Sequence, residues 1–180
     1  MPWVRWREMP EVCDWEKPLR DSFRRRRRQP PLSVPGKFPS LSEAASALAA
    51  LLSTEVRAET DLVVGLGEAA RGIAEQIAGE LGAPVVIVPV ERGDDVVLGP
   101  APECAGLRVL VVDRGVETGQ SALLAARALK ESGATWIGLA VPVCPRQAEA
   151  GLVRVFDEVI AVHRPLARRS LQWHYATPLE

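Results

Sequence analysis

Five runs of branched apolar residues recur along the second part of the chain, "DLVVG", "APVVIVPV", "LRVLVVD", "TWIGLAVPV" and "DEVIAV". In the third, Val109 to Val112 are apolar at every position rather than at alternate ones, the pattern of a strand covered on both faces. Between the runs lie Ala-rich stretches with helical spacing. Ser42 is expected to cap "EAASALAALLS"; Glu68–Leu81 is expected to form a helix stopped by Gly82; Gly119–Ser132 one stopped by Gly133; and Arg146–Leu152 a short one. Glu91 to Ala105, rich in Gly, Pro and Asp, is expected to be a polar loop. Apolar strands alternating with helices describe an α/β fold, three layers with a parallel sheet in the middle.

The first forty residues break this pattern. They hold three of the five Trp and the run Arg24–Arg28, with ten Lys/Arg against five Asp/Glu, whereas the remainder has twelve against eighteen. A basic arm, residues 1–40, thus precedes an acidic globule, residues 41–180, of a size that suits one domain. The Arg run is expected to be solvated rather than bound to nucleic acid, and Trp3, Trp6 and Trp15 to pin the arm to the globule or to a second copy in a homodimer. Cys13, Cys104 and Cys144 have no metal or redox spacing and read as reduced thiols. With no apolar run near the ~20 residues of a membrane span and no signal-peptide core at the start, the chain is expected to be cytoplasmic, with no membrane partner.

In open parallel sheets, ligands sit beyond the carboxyl ends of the strands. The loop "VLVVDRGVETGQS", Val109–Ser121, carries the strongest candidate there. Asp113 ends a strand, where an acid can accept hydrogen bonds from the adjacent hydroxyls of a sugar. Thr118, Gly119, Gln120 and Ser121 open a helix, where backbone N–H groups and two hydroxyls meet a dianion, and Gly119 admits it close to the backbone. A second candidate is Gly65-Leu66-Gly67 with Glu91 ending the next strand, as in a dinucleotide-binding unit; its third glycine is misplaced and it leaves Asp113–Ser121 unexplained. His163 and His174 lack a carboxylate at ligand spacing, and no metal ligand set is assigned. Trp173 and Tyr175 are expected either to roof a base or to pack on the core.

The stretch Val109–Ser121 resembles the signature of the type I phosphoribosyltransferases: four apolar residues, two acids, then a Thr-Gly turn. A weaker likeness covers about Leu41 to Tyr175. The resemblance implies a five-stranded parallel core, the 5′-phosphate of phosphoribosyl pyrophosphate on Thr118–Ser121, its ribose on Asp113, and magnesium on its pyrophosphate. Two departures stand out. Arg114 occupies the place of the second acid, which weakens any magnesium site. It could pair with Asp113 or reach a phosphate. In the loop after the first strand, which Gly67 opens as a further binding candidate, Glu68, Ala69 and Ala70 stand where the look-alike branch has an Arg and paired glycines to cradle pyrophosphate, unless Arg71 and Gly72 serve instead. Glu68 and Arg114 are expected to neutralise each other if the two loops touch, and Arg92 to supply a cation. The resemblance implies transfer of phosphoribosyl to a nitrogenous base, or, in a catalytically silent relative, a sensor of a nucleotide or sugar phosphate.

Overall fold

The computed structural model describes residues 3–5 and 37–179. In chain order the elements are β1 (Val4–Arg5), α1 (Leu41–Leu51), α2 (Thr54–Glu59), β2 (Leu62–Leu66), α3 (Arg71–Leu81), β3 (Val85–Val88), β4 (Val90–Arg92), β5 (Val96–Leu98), β6 (Arg108–Val112), α4 (Gln120–Glu131), β7 (Trp136–Val143), α5 (Arg146–Leu152) and β8 (Glu158–His163). Short 3-10 turns occupy Glu68–Ala70 and Leu171–His174.

The central sheet has the order β3-β2-β6-β7-β8, and each neighbouring pair runs parallel. Strand β6 shows why the fold has three layers. Successive side chains of a strand point to opposite faces. Val109 and Val111 therefore enter an apolar cluster with Leu124 and Leu129 of α4, while Leu110 and Val112 enter another with Leu48 of α1 and Ile73 and Ile77 of α3. A strand with a cluster on each face has no room for polar positions, which accounts for its unbroken apolar run.

Strand order also locates the site. From β2 the chain crosses to β3 on one side, and from β6 it proceeds to β7 and β8 on the other. The carboxyl ends of β2 and β6 consequently flank the crevice where strand order reverses. The loops after these strands are Gly67–Ala70 and Asp113–Gly119.

Local structure departs from the sequence pattern in several places. Ser40, not Ser42, caps α1: its hydroxyl accepts the Glu43 N–H at 3.2 Å, a bond worth about 1 kcal/mol. Ser42 lies inside the first turn, and its hydroxyl donates to Gln76. The stretch from Glu68 breaks into a 3-10 turn followed by α3, which Gly82 ends. The segment expected to be a loop after Glu91 begins as a β-hairpin, β4 against β5, with Gly93–Asp95 at its turn and β1 paired to the far edge of β5. The arm's first residues are thereby joined to the globule at Val4–Arg5, with Trp3 exposed at their start. Trp6, Trp15, Cys13 and the run Arg24–Arg28 lie outside the described residues.

The globule extends upstream of residue 41. Phe38 is buried, donates its N–H to the His174 carbonyl and accepts from the Ala176 N–H, both at 2.8 Å, and forms a parallel bridge with Tyr175. Cys104 and Cys144 are free, buried thiols. No helix among the described residues is long and apolar enough to cross a membrane.

Candidate functional site

Asp113 follows the last residue of β6 and is one of two buried polar residues of the described chain, at 6% exposure. One carboxylate oxygen accepts the Arg114 N–H at 2.7 Å, and the other lies 3.6 Å from the Arg92 guanidinium. Burial pushes the Asp113 pKa up to about 6, and the charge of Arg92 and the Arg114 N–H oppose that rise. Near neutral pH the group is an ionised carboxylate held out of water, and a partner for it is at a premium.

The loop beyond is fixed at several points. Gly115 lies at φ 152, and a Cβ there would stand 2.4 Å from Leu171 Cδ2. The Val116 N–H donates to the Val143 carbonyl at 2.8 Å, tying the loop to β7. The Glu117 carboxylate accepts the Leu171 N–H at 2.7 Å, and the buried Tyr175 hydroxyl donates to the Arg114 carbonyl at 2.6 Å. The C-terminal segment is therefore clamped onto both sides of this loop.

Gly119 opens α4 at φ 86, a left-handed conformation that a side chain would strain, and the helix has no side-chain cap. The first N–H groups of a helix have no partner within it, so the turn at Thr118–Ser121 presents donors and the positive end of the helix dipole. Thr118 Oγ1 lies 3.4 Å from the Gln120 N and from Gln120 Oε1. Arg92 Nη2 reaches Ser121 Oγ at 3.4 Å. Arg92 thus spans the gap between the buried acid and the helix start, carried there by the β4–β5 hairpin.

The first loop is built differently from the sequence expectation. Gly67 donates its N–H to the Val88 carbonyl at 2.8 Å, and Ala70 and Arg71 spend theirs on Gly67 and Glu68 in the 3-10 turn. Glu68 does not pair with Arg114. Both its carboxylate oxygens engage Arg71, one turn along the same helix face, and this hydrogen bonding holds its pKa below the ordinary value. An acid and a base three residues apart on a helix meet without any tertiary cost, so the local partner wins. Ala69 and Arg114 do face one open groove of about 380 Å³, closed on its other sides by Leu41 and Thr177–Leu179.

Of the remaining candidates, Trp173 is occupied by cations, with Arg169 at 4.2 Å and Lys37 at 5.9 Å from its ring. His174 is buried, its ring 5.4 Å from that of His163, and neither of its nitrogens has a hydrogen-bond partner among the described residues. Tyr175 packs in the core with Phe38 and holds the loop by its hydroxyl, a role in the site that its aromatic character alone did not disclose.

A phosphoribosyl transferase domain model matches residues 39–162. The chain belongs to that family. Its fold agrees with solved structures. The TT1426 protein of Thermus thermophilus superposes with a TM-score of 0.66 at 22% identity, over 80% of this chain and 92% of that one. Adenine phosphoribosyltransferase of Rhodothermus marinus gives 0.57 at 21%, over 69% and 78%. Orotate phosphoribosyltransferase of Aeropyrum pernix gives 0.55 at 24%, over 68% and 70%. No curated protein matches the sequence. With family and strand order in hand, the dinucleotide reading of Gly65-Leu66-Gly67 is not needed: that segment is the end of β2 and the entry to a 3-10 turn.

Magnesium fits these residues poorly. Of the loop's two acids, Asp113 is already engaged by Arg92 and the Arg114 N–H and Glu117 by the Leu171 N–H, and the position after Asp113 carries a cation. Among the described residues no group of three or more His, Cys, Asp or Glu could hold a metal ion.

Proposed function

We propose that this domain binds a 5-phosphoribosyl ligand, phosphoribosyl pyrophosphate or a related phosphorylated ribose, in the crevice between β2 and β6. The carrying observation is the placement of the buried Asp113 just past the end of β6, joined by the loop 114–119 to the start of α4, where Gly119 provides no side-chain cap. Thr118, Gly119, Gln120 and Ser121 hold the 5′-phosphate, and Gly119 allows it to approach the backbone. Asp113, acting as catalytic residue, accepts from the ribose hydroxyls. Gly67, Glu68 and Arg114 border the space beyond the ribose. In transfer, a nitrogenous acceptor displaces pyrophosphate while positive charge develops on the sugar. The ionised Asp113 orients the ring and opposes that charge, and the rest of the site contributes position rather than chemistry.

A second reading, a silent sensor of sugar phosphate or mononucleotide, is favoured by one observation: the first loop spends the N–H groups of Gly67, Ala70 and Arg71 internally instead of offering them to a pyrophosphate. Calorimetric titration distinguishes the two. A transferase binds phosphoribosyl pyrophosphate more tightly than ribose 5-phosphate and releases pyrophosphate when a base is supplied. A sensor binds ribose 5-phosphate or a mononucleotide equally well and releases none. Failure of every phosphorylated ribose to bind would reject both.

A further inference from the structure

An anion entering beside the buried Asp113 carboxylate meets like charge, so some cation has to stand between the two. In metal-dependent sites a divalent ion does this. Here the residues do not suit such an ion, and a guanidinium stands beside the carboxylate instead. Arg92 Nη2 is 3.6 Å from Asp113 Oδ2 and 3.4 Å from Ser121 Oγ at the helix start. Its side chain is 47% exposed, so a ligand can reach it without unfolding anything. The hairpin turn that carries it is ordered by its own bonds, Gly93 N–H to the Asp95 carbonyl at 3.1 Å and Val96 N–H to the Asp95 carboxylate at 2.9 Å. A guanidinium offers five donors in a planar fork and joins carboxylate and phosphate with charge-assisted hydrogen bonds, the shape needed to bridge the two.

We infer that Arg92 supplies from the chain itself the cation this site needs: it bridges Asp113 and the phosphate group at the start of α4, so that phosphoribosyl pyrophosphate and ribose 5-phosphate bind without magnesium. The inference rests on the phosphoribosyl site proposed above. It also gives Arg92 a role in the empty site, where it neutralises Asp113 and keeps the carboxylate aimed at the crevice. A lysine would keep the charge but, as a point donor on a flexible stem, would not span both partners as well.

The test is titration of phosphoribosyl pyrophosphate, whose pyrophosphate is where magnesium would act, with ribose 5-phosphate alongside, into the full chain, as wild type, Arg92→Lys and Arg92→Ala, each with EDTA and with magnesium. Thermal unfolding of each variant checks that the fold is kept. Wild type should bind equally well in both conditions. Arg92→Ala should bind about 10- to 100-fold more weakly in EDTA, the worth of one or two charge-assisted hydrogen bonds, and magnesium should restore part of the loss. Arg92→Lys should fall between them. Wild-type binding that requires magnesium, or an Arg92→Ala protein with unchanged affinity in EDTA, would overturn the inference and leave the phosphoribosyl site standing. No binding by wild type under either condition would overturn both.

Discussion

Replacing Asp113 by Asn should make the ligand-free protein more stable. The ordinary aspartate pKa of 3.8 rises to about 6 in the folded chain. Each unit corresponds to about 1.4 kcal/mol, so ionising Asp113 at neutral pH costs the fold about 3 kcal/mol, net of what Arg92 and the Arg114 N–H return. The sign follows from linkage. A group whose pKa is raised by folding contributes its full stability below the unfolded value and loses it as pH climbs through the folded one. The cost therefore grows between about pH 3.8 and about pH 6 and is constant above. Asn keeps an oxygen to accept the Arg114 N–H and carries no charge to desolvate. Urea denaturation should show Asp113→Asn more stable than wild type by up to about 3 kcal/mol at pH 7.5, with the difference shrinking toward zero near pH 4. The same variant should lose ribose binding, since its stability gain comes from removing the group that the ligand uses. A variant less stable than wild type at pH 7.5, or a difference that does not change with pH, would refute this reasoning.

Other perturbations probe the clamp and the phosphate turn. Tyr175→Phe removes the hydroxyl that donates to the Arg114 carbonyl and should cost about 1 kcal/mol in urea unfolding, with lower ligand affinity as the loop loosens. The His174 ring is buried beside His163 and Arg169 with no hydrogen-bond partner for its nitrogens among the described residues, and burial holds its pKa below the usual imidazole value. The unfolded chain binds that proton first, so stability should fall as pH drops from 7.5 through about 6.5, and His174→Phe should flatten the slope in urea midpoints. Gly119→Val places a branched side chain at φ 86 against Leu152 and should abolish phosphate binding in calorimetry while costing about 1–3 kcal/mol of stability.

The parts of the fold that could be foreseen were those written in local pattern. Val109–Val112 is apolar throughout because two layers cover it, and Gly82 ends α3 where the stripe of Ile73 and Ile77 ends. The hairpin was legible in principle, since Gly93–Asp95 lies between the branched residues of β4 and β5, but Gly, Pro and Asp further along disguised it as loop. Ser40 and Ser42 differ by two residues, and only the observed bond to Glu43 decides between them. At the site, Asp113 and Thr118–Ser121 follow from strand end and helix start. What joins them does not. Arg92 is brought to Asp113 by the hairpin, and Tyr175 to Arg114 across 61 residues of chain, contacts that no local spacing encodes. The expected Glu68–Arg114 pair failed for the converse reason, because Arg71 was available one helical turn away.

A phosphate bound at the start of α4 beside Asp113 is the contact on which the proposed function depends. Amide resonances followed during titration of ribose 5-phosphate into the isotope-labelled chain examine that contact directly. Saturable shifts should concentrate at Gly119, Gln120 and Ser121, with smaller ones at Arg114, and should vanish in Gly119→Val. Shifts that spare these amides, or that follow the basic run Arg24–Arg28 instead, would contradict the proposed site.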